Sequence, residues 1–383
     1  MSVLFWLALG TLILTILTSL ELFFGNRRIL ALRDVSPAAP PEPLRVSIIV
    51  AARNEERKIG YALQSVLSLS YPDYEVLVVN DRSEDRTGPL LDEMAKTDPR
   101  LKVIHVDVLP AGWLGKNHAL WVGSQRATGE ALLFTDADIV MEPTVLTRAV
   151  TFFTENRLDH LAATPSIRMP TTFLGMFGAS FIIFFSLFSR PWKARDPESR
   201  SHIGIGAFNL VGSAAYRQVG GHETIRLRPD DDIKLGKIIK KGGLRQDAAY
   251  APDFLAVEWY ASLGEVVRGL EKNAFSGADY NIPLVLTGVV FHLFCSVWPF
   301  VAIFVTRGPV QGLYLVCVLL ILLSVADSAR FHHSKAWYAA GYPVMSLLFA
   351  YILLRTMLLN LVQGGIYWRG TFYSLKELKK NRV

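Results

Sequence analysis

Hydrophobic positions along this chain fall into two regimes. Residues 3–24 form an almost unbroken apolar run, long enough to cross a bilayer, with Arg27, Arg28 and Arg33 just beyond it. No charged stretch precedes that run and no small-residue cleavage site follows it, which predicts a retained anchor rather than a removed signal peptide. Three further apolar blocks come late, at 285–305, 310–326 and 336–359. Between Leu44 and about Tyr280 the apolar runs are short and interleaved with polar residues, the pattern of a water-facing domain with its own core. The division expected is an N-terminal membrane anchor (1–26), a basic, proline-rich linker (27–43), a soluble domain (44–280), two to three C-terminal membrane helices (281–362) and a basic tail (363–383).

Within the soluble stretch, β-rich runs alternate with helical spacing. Residues 45–52 (RVSIIVAA), 74–79 (YEVLVV), 101–106 and 131–134 read as buried strands, and 160–163 as another. Residues 59–69, 89–96, 144–153 and 233–241 read as helices, the first stopped by Tyr71-Pro72-Asp73. Such alternation predicts an α/β fold around a largely parallel sheet. Ligands of such sheets gather outside the carboxyl ends of the strands. Residues 171–189 are apolar and aromatic without a charge. Their glycine, serine and threonine content favours a helix lying at the membrane interface; a buried core helix and a further span are the other readings.

The formal net charge of +6 changes the picture little. A basic balance suits nucleic acid or an anionic membrane surface, and the apolar blocks select the membrane. No Lys/Arg stripe with interleaved aromatics appears in the soluble part, so a nucleic-acid partner is not expected. The only two cysteines, Cys295 and Cys317, sit inside apolar blocks and make neither a disulfide framework nor a thiolate metal site. Paired His332 and His333 lack a third ligand.

Candidate chemistry lies where the strands end. Residues 131–140 (ALLFTDADIV) close a buried strand with Asp136 and Asp138, two carboxylates able to turn onto one ligand. They make a hard oxygen site for Mg²⁺ or Mn²⁺ carrying a diphosphate, or a polar turn after a core strand; both readings stand on this decapeptide alone. Asn54, Glu55 and Asp81 follow other strands, so five polar residues fall on one sheet edge. Lys116 opens a helix in GWLGKNHAL. Gly204 and Gly206 are not a dinucleotide fingerprint, because the third glycine and the preceding strand are missing. Asp230-Asp231-Asp232 precede a helix; capping and the helix dipole account for one or two of the three acids.

Five ordered segments resemble the family 2 glycosyltransferases, membrane-associated enzymes with the nucleotide-sugar-binding α/β fold called GT-A. They are VSIIVAARNEE (46–56), VVNDRSEDRT (78–87), TDAD (135–138), FNLVGSAAYRQVGG (208–221) and DDDIKLG (230–236). The resemblance implies that Ala52, Asn54, Glu55 and Asp81 hold the nucleotide, with Asp136 at its ribose or sugar and Lys116 at the diphosphate. It implies Asp138, with Asp136, as ligands of a divalent cation (Mg²⁺ or Mn²⁺), and Asp232, beside Asp231, as the catalytic base. Asn209, Gly212 and Arg268 would lie on the acceptor side. The Gln/Arg-x-x-Arg-Trp motif of processive members is absent, since residues 268–273 read RGLEKN, which points to a single transfer to a membrane-resident acceptor. The tail YWRGTFY (367–373) resembles the Trp-Arg-Gly tails of ceramide, hopanoid and carotenoid glycosyltransferases, placing Trp368 and Arg369 near the acceptor or in an interfacial anchor. The implied function is inverting, metal-dependent transfer of one sugar, UDP-linked, to a hydroxyl or carboxyl of a membrane lipid. A processive polysaccharide synthase and a non-catalytic membrane scaffold are the alternatives. Oligomeric state is not legible.

The arginines after the first run place the soluble domain on the cytoplasmic side of the cell (inner) membrane. Lys376, Lys379, Lys380 and Arg382 ask the same of the tail. Three full spans after the domain would put that tail outside. Gly341, Pro343 and Arg355 therefore predict a re-entrant or interfacial segment at 336–359.

Overall fold

The structure is a computed structural model that describes residues 2–38 and 42–383. The described residues divide into two compact units: 29–167, 191–258 and 380–383 in one, and 1–28, 168–190 and 259–379 in the other.

The first unit is built on an eight-stranded sheet. Its strands are β1 (Leu30–Ala31), β2 (Val46–Ala52), β3 (Tyr74–Asp81), β4 (Leu101–Val106), β5 (Ala131–Asp136), β7 (His160–Thr164), β9 (Asn209–Gly212) and β10 (Gln246–Tyr250). Their spatial order is β1-β10-β7-β9-β5-β2-β3-β4. All neighbours run parallel except β9, which is antiparallel to both β5 and β7. The central strands are near-continuous apolar runs because helices cover both faces. Ile48 turns to a core with Ile59, Leu63 and Val66 of α2 (Ile59–Leu67), Leu91 of α3 (Thr87–Thr97) and the apolar side of α5 (Val145–Glu155). Its neighbour Ile49 turns the other way, to Leu120 of α4 (Gly115–Arg126), α7 (Ser213–Gln218) and α9 (Asp231–Lys241). A short helix, α8 (Gly221–Thr224), links α7 to the loop before α9. A second sheet of β6 (Val140–Met141), β11 (Leu255–Glu258) and β8 (Ser166–Arg168) completes the unit.

Residues 259–280, expected in the soluble domain, fall with the apolar helices, and three further features depart from the sequence expectation. Leu30–Ala31 lies in the stretch expected to be linker, yet it pairs with β10 as an edge strand. Asn209–Gly212 is a strand where only a motif was read, too short to show a period. Residues 380–383 belong with the soluble unit.

The second unit holds the long apolar helices α1 (Val3–Asn26), α6 (Thr172–Ser189), α14 (Gly308–Ala329) and α15 (Tyr342–Gln363), and the pair α12 (Ile282–Ser296) and α13 (Trp298–Val305). Among the described residues four helices, or five segments with the bent pair, are long and apolar enough to cross a membrane. The chain bends by 46° between α12 and α13, with Pro299 in the first turn of the second. The expected irregularity at Pro343 is not a break: that proline sits in the first turn of α15, where its missing N–H costs nothing, and α15 runs on unbroken. Arg355 is paired with Glu271 of α10 (Leu263–Glu271), which is followed by the short α11 (Ala274–Gly277). α1 and α14 run parallel, their ends tied by Arg27 Nη1–Asp327 Oδ2 at 2.7 Å and Asn26 Nδ2–Ser328 Oγ at 3.3 Å. After α15 come a hairpin of β12 (Gly365–Trp368) and β13 (Thr371–Ser374), then α16 (Leu375–Lys380).

Candidate active site

The site forms where β5 ends. Asp136 closes that strand, and its Oδ1 accepts from Lys116 Nζ at 2.8 Å. Lys116 stands in the first turn of α4, and the same Nζ lies 3.2 Å from Asp231 Oδ2 at the start of α9. One ammonium thus bridges two elements distant in sequence. Burial alone would push it toward its neutral form, but Asp136, Asp231 and Asp232 outweigh that and hold it well above the ordinary lysine range. Asp232 sits beside Asp231, half-buried, and receives N–H bonds from Gly206 at 2.9 Å and Ile233 at 2.8 Å. Burial and then the Asp231 charge push its carboxyl up to about 7, against the pull of Lys116.

Asp138 lies two residues beyond Asp136, its Oδ2 3.6 Å from Lys58 Nζ. Burial, and after it Asp136, push Asp138 up to about 6, with Glu55 adding to the crowding. A carboxylate crowded by neighbouring carboxylates in this way is matched to a cation. Among the described residues no three His, Cys, Asp or Glu side chains converge as a complete ligand set. A pair of carboxylates fits a hard divalent cation that keeps water and takes phosphate oxygens as its other ligands.

The neighbouring strand ends supply a tied pair of loops. Ala52 ends β2, opposite Asn80. Asn54, at φ +54°, donates its backbone N–H to Ser83 Oγ at 3.1 Å and accepts at Oδ1 from Glu84 N at 2.8 Å. Glu55 N donates to Thr87 Oγ1 at 2.8 Å. Asp81 is buried and holds Arg82 through two bonds of 2.7 and 3.0 Å. Gly115 leaves room for that carboxylate, because a Cβ there would collide with Asp81 Oδ2.

The structure brings Lys116, Asp136, Asp138, Asp231 and Asp232 together, with Ala52, Asn54, Glu55 and Asp81 along the same sheet edge. It does not bring Asn209 and Gly212 there. Asn209 Oδ1 is 2.5 Å from His160 Nε2, inside a buried network that continues to Gln246. Gly212 pairs with Ala131, at the opposite end of β5 from Asp136. Arg268, Trp368 and Arg369 belong to the other unit. There Arg268 is exposed on α10, Lys272 Nζ stands 4.5 Å from the Trp368 ring centroid, and Arg369-Gly370, both at positive φ, form the tight turn of the β12–β13 hairpin.

Several contributors carried no sequence signal. Gly206 N–H reaches Asp232, its carbonyl accepts from Asp136 N at 3.0 Å, and a Cβ there would meet Asp136 Oδ2 at 2.5 Å. Buried His222 accepts or donates at Nδ1 to Tyr216 Oη at 2.8 Å; burial and then Lys116 push it down to about 3. Thr135 Oγ1 donates to Ala207 O at 2.7 Å, pinning the glycine loop to β5. A spaced Gly-x-Gly was the one visible hint.

Comparison with known proteins agrees with this geometry. Residues 47–215 match the model of glycosyl transferase family 2. The chain is a glycosyltransferase with a family 2 domain. Over 342 residues the enzyme is 23% identical to the 4,4'-diaponeurosporenoate glycosyltransferase of Staphylococcus aureus strain USA300, covering 87% of this chain and 89% of that protein. The corresponding protein of the bovine strain RF122 is 24% identical over 346 residues, with the same coverage. A mannosyltransferase from Pyrobaculum calidifontis, solved in complex with GDP-Man and Mn²⁺, superposes with a TM-score of 0.58 at 19% identity, covering 93% of this chain and 99% of that one. The glycosyltransferase shares the GT-A fold with it.

Proposed function

We propose that the enzyme transfers a single sugar from a nucleotide sugar, UDP-linked, to a hydroxyl or carboxyl of a membrane lipid, with inversion at the anomeric carbon. The observation that carries this reading is the Lys116 bridge between Asp136 and the acid pair Asp231–Asp232. It sets a cation, which a leaving diphosphate needs, beside a carboxyl held near neutral pH, which a hydroxyl acceptor needs. Asp232 accepts the acceptor proton while the acceptor oxygen bonds to the anomeric carbon from the face opposite the diphosphate. The sugar–phosphate bond breaks with its electrons leaving on the diphosphate, beside Lys116. A carboxylate acceptor arrives already deprotonated and leaves Asp232 to orient it. Asp138 and Asp136 would hold a divalent cation, Mg²⁺ or Mn²⁺, which when bound neutralises charge developing on the diphosphate. Glu55 and Asp81 face the nucleoside.

The named substrate of the Staphylococcus relatives is a carotenoid acid, which supports a lipid acceptor of glycolipid, hopanoid or carotenoid type. Four membrane-length helices support residence in the cell membrane, with the catalytic unit on the cytoplasmic side.

The test is sugar transfer by detergent-purified enzyme with labelled UDP- and GDP-sugars and a lipid extract, with Mn²⁺ or EDTA. Labelled lipid bearing one sugar, lost with EDTA and reduced about 10²–10⁴-fold in Asp232→Asn, is the expected result for a hydroxyl acceptor. Oligomeric sugar products would overturn single transfer. Full activity in EDTA would overturn the cation.

A further inference from the structure

The last three residues of the chain, Asn381–Val383, belong to the soluble unit. Asn381 Oδ1 accepts from Leu227 N at 2.9 Å, and its Nδ2 donates to Thr224 O at 2.9 Å. One side-chain amide therefore satisfies both a donor and an acceptor of the 224–227 turn, as a strand partner would. Val383, like Val219 and Leu244, is a partly buried residue packed against the apolar cluster that includes Leu120 of α4 and Leu235, Ile238 and Ile239 of α9.

That turn is the support of the site. Ile225 O and Arg228 O accept from Asn117 Nδ2 at 2.7 and 3.0 Å, and Arg226 O accepts from Leu114 N at 2.8 Å. These three bonds fix the start of α4, and with it Lys116. On its other side, wholly buried Arg228 pairs with Asp230 at 3.2 Å, and Lys234 reaches Asp230 at 3.5 Å, fixing the N-terminus of α9 with Asp231 and Asp232. The 224–230 segment thus sets the spacing between the lysine and the acids, and Asn381 holds it from behind.

We propose that Asn381, with Val383 against the apolar cluster that α9 shares, is a positioning element of the active site: residues 381–383 clamp the turn that aligns Lys116 with Asp231 and Asp232. This rests on the role proposed for Asp232. A local loss of hydrogen bonds here relaxes the turn, and misplacement of about 1 Å in such a constellation is costly in rate. Because Lys116 opposes the effects of Asp231 and Asp136 on Asp232, a looser bridge also moves the protonation of Asp232 upward.

The experiment compares Asn381→Ala, a chain ending at residue 380, and Asp232→Asn in full-length purified enzyme, measuring kcat, donor KM, the pH–rate profile and Tm. The expected result is kcat about tenfold lower in both tail variants, donor KM within about twofold, and the acid limb moved to higher pH by about half a unit or more. Parent-like kcat and acid limb, with Asp232→Asn inactive, would overturn the clamp. So would activity lost only in proportion to a lowered Tm, with the acid limb unmoved. Altered tail variants beside a fully active Asp232→Asn would instead sink the role of Asp232 and leave the clamp standing.

Discussion

In the proposed mechanism Lys116 stands between the acids, bonded to Asp136 and close to Asp231, and its charge acts on that of its neighbours. Replacing it with methionine removes the positive charge that, with the Ile233 N–H, pulls the Asp232 carboxyl down from where burial and Asp231 push it. A base must be deprotonated to work, so activity on a hydroxyl acceptor falls as pH drops through about 7 in the parent. In Lys116→Met that acid limb moves upward, and kcat falls about 10²-fold or more from lost diphosphate stabilisation. A pH–rate profile of kcat reads both effects. Glu75 offers a contrast outside the site. It is buried and accepts from Ser47, Thr128 and Lys102, which together hold it down to about 2 although burial alone would raise it. A paired carboxylate with no cleft to serve is structural, and Glu75→Gln should cost about 1.5–3 kcal/mol in chemical denaturation with kcat unchanged. The two cases run in opposite directions, raised for Asp138 and Asp232 and lowered for Glu75.

Among the elements, the 203–206 loop against the start of α9 is the closest approach. A Cβ on Gly204 would collide with the Asp232 backbone carbonyl, and one on Gly236 with the Ile203 carbonyl. Backbone cannot step aside as a side chain does, so Gly204→Ala should destabilise the soluble unit by about 1–3 kcal/mol, read as a lower Tm. Gly206→Ala meets the Asp136 side chain instead. It should leave Tm nearly unchanged and lower kcat by displacing Asp136 from Lys116. Equal effects of the two substitutions on Tm would contradict this division. The two glycines were visible in the sequence, but their use was not, since it depends on a helix from 30 residues later crossing them.

For the whole molecule, connectivity constrains the membrane path. Asn26 and Arg27 tie the C-terminal end of α1 to Asp327 and Ser328 at the C-terminal end of α14, so these two ends lie together. If the tied ends of α1 and α14 mark one side of the membrane, the expectation is that the bent pair α12–α13 reaches the other side before α14 begins. Asn381 is bonded to the soluble unit, and the re-entrant or interfacial segment expected from the sequence at 336–359 predicts that residues 336–363 leave the membrane on the side where they entered. The unbroken α15, which with the 3₁₀ turns at Ala336–Gly341 is long and apolar enough for a full span, stands against that expectation. Single cysteines at Thr306 and Ser334, in a chain lacking Cys295 and Cys317, test it. Ser334→Cys and a cysteine after Val383 should react with a membrane-impermeant maleimide only in inside-out vesicles, and Thr306→Cys only in right-side-out cells. Labelling of Ser334→Cys and the terminal cysteine from opposite sides would make 336–363 a full span.

What the sequence determined by itself was set by local forces. Runs such as VSIIVAA and YEVLVVND have no stable place except as strands covered on both faces, and the long apolar blocks have none except in lipid or packed together. Acids placed at the ends of such strands must emerge at one edge of a parallel sheet, so the shared placement of Asp81, Asp136 and Asp138 along that edge was legible before any fold was seen. What only the tertiary structure decided depends on pairs distant in the chain. The antiparallel β9 takes Asn209 and Gly212 away from the catalytic edge, because its register with β5 fixes where each residue lies. The Lys116–Asp231 bridge joins residues 115 positions apart. Burial and neighbouring charge, neither written in any short motif, set which carboxyl stays protonated near neutral pH.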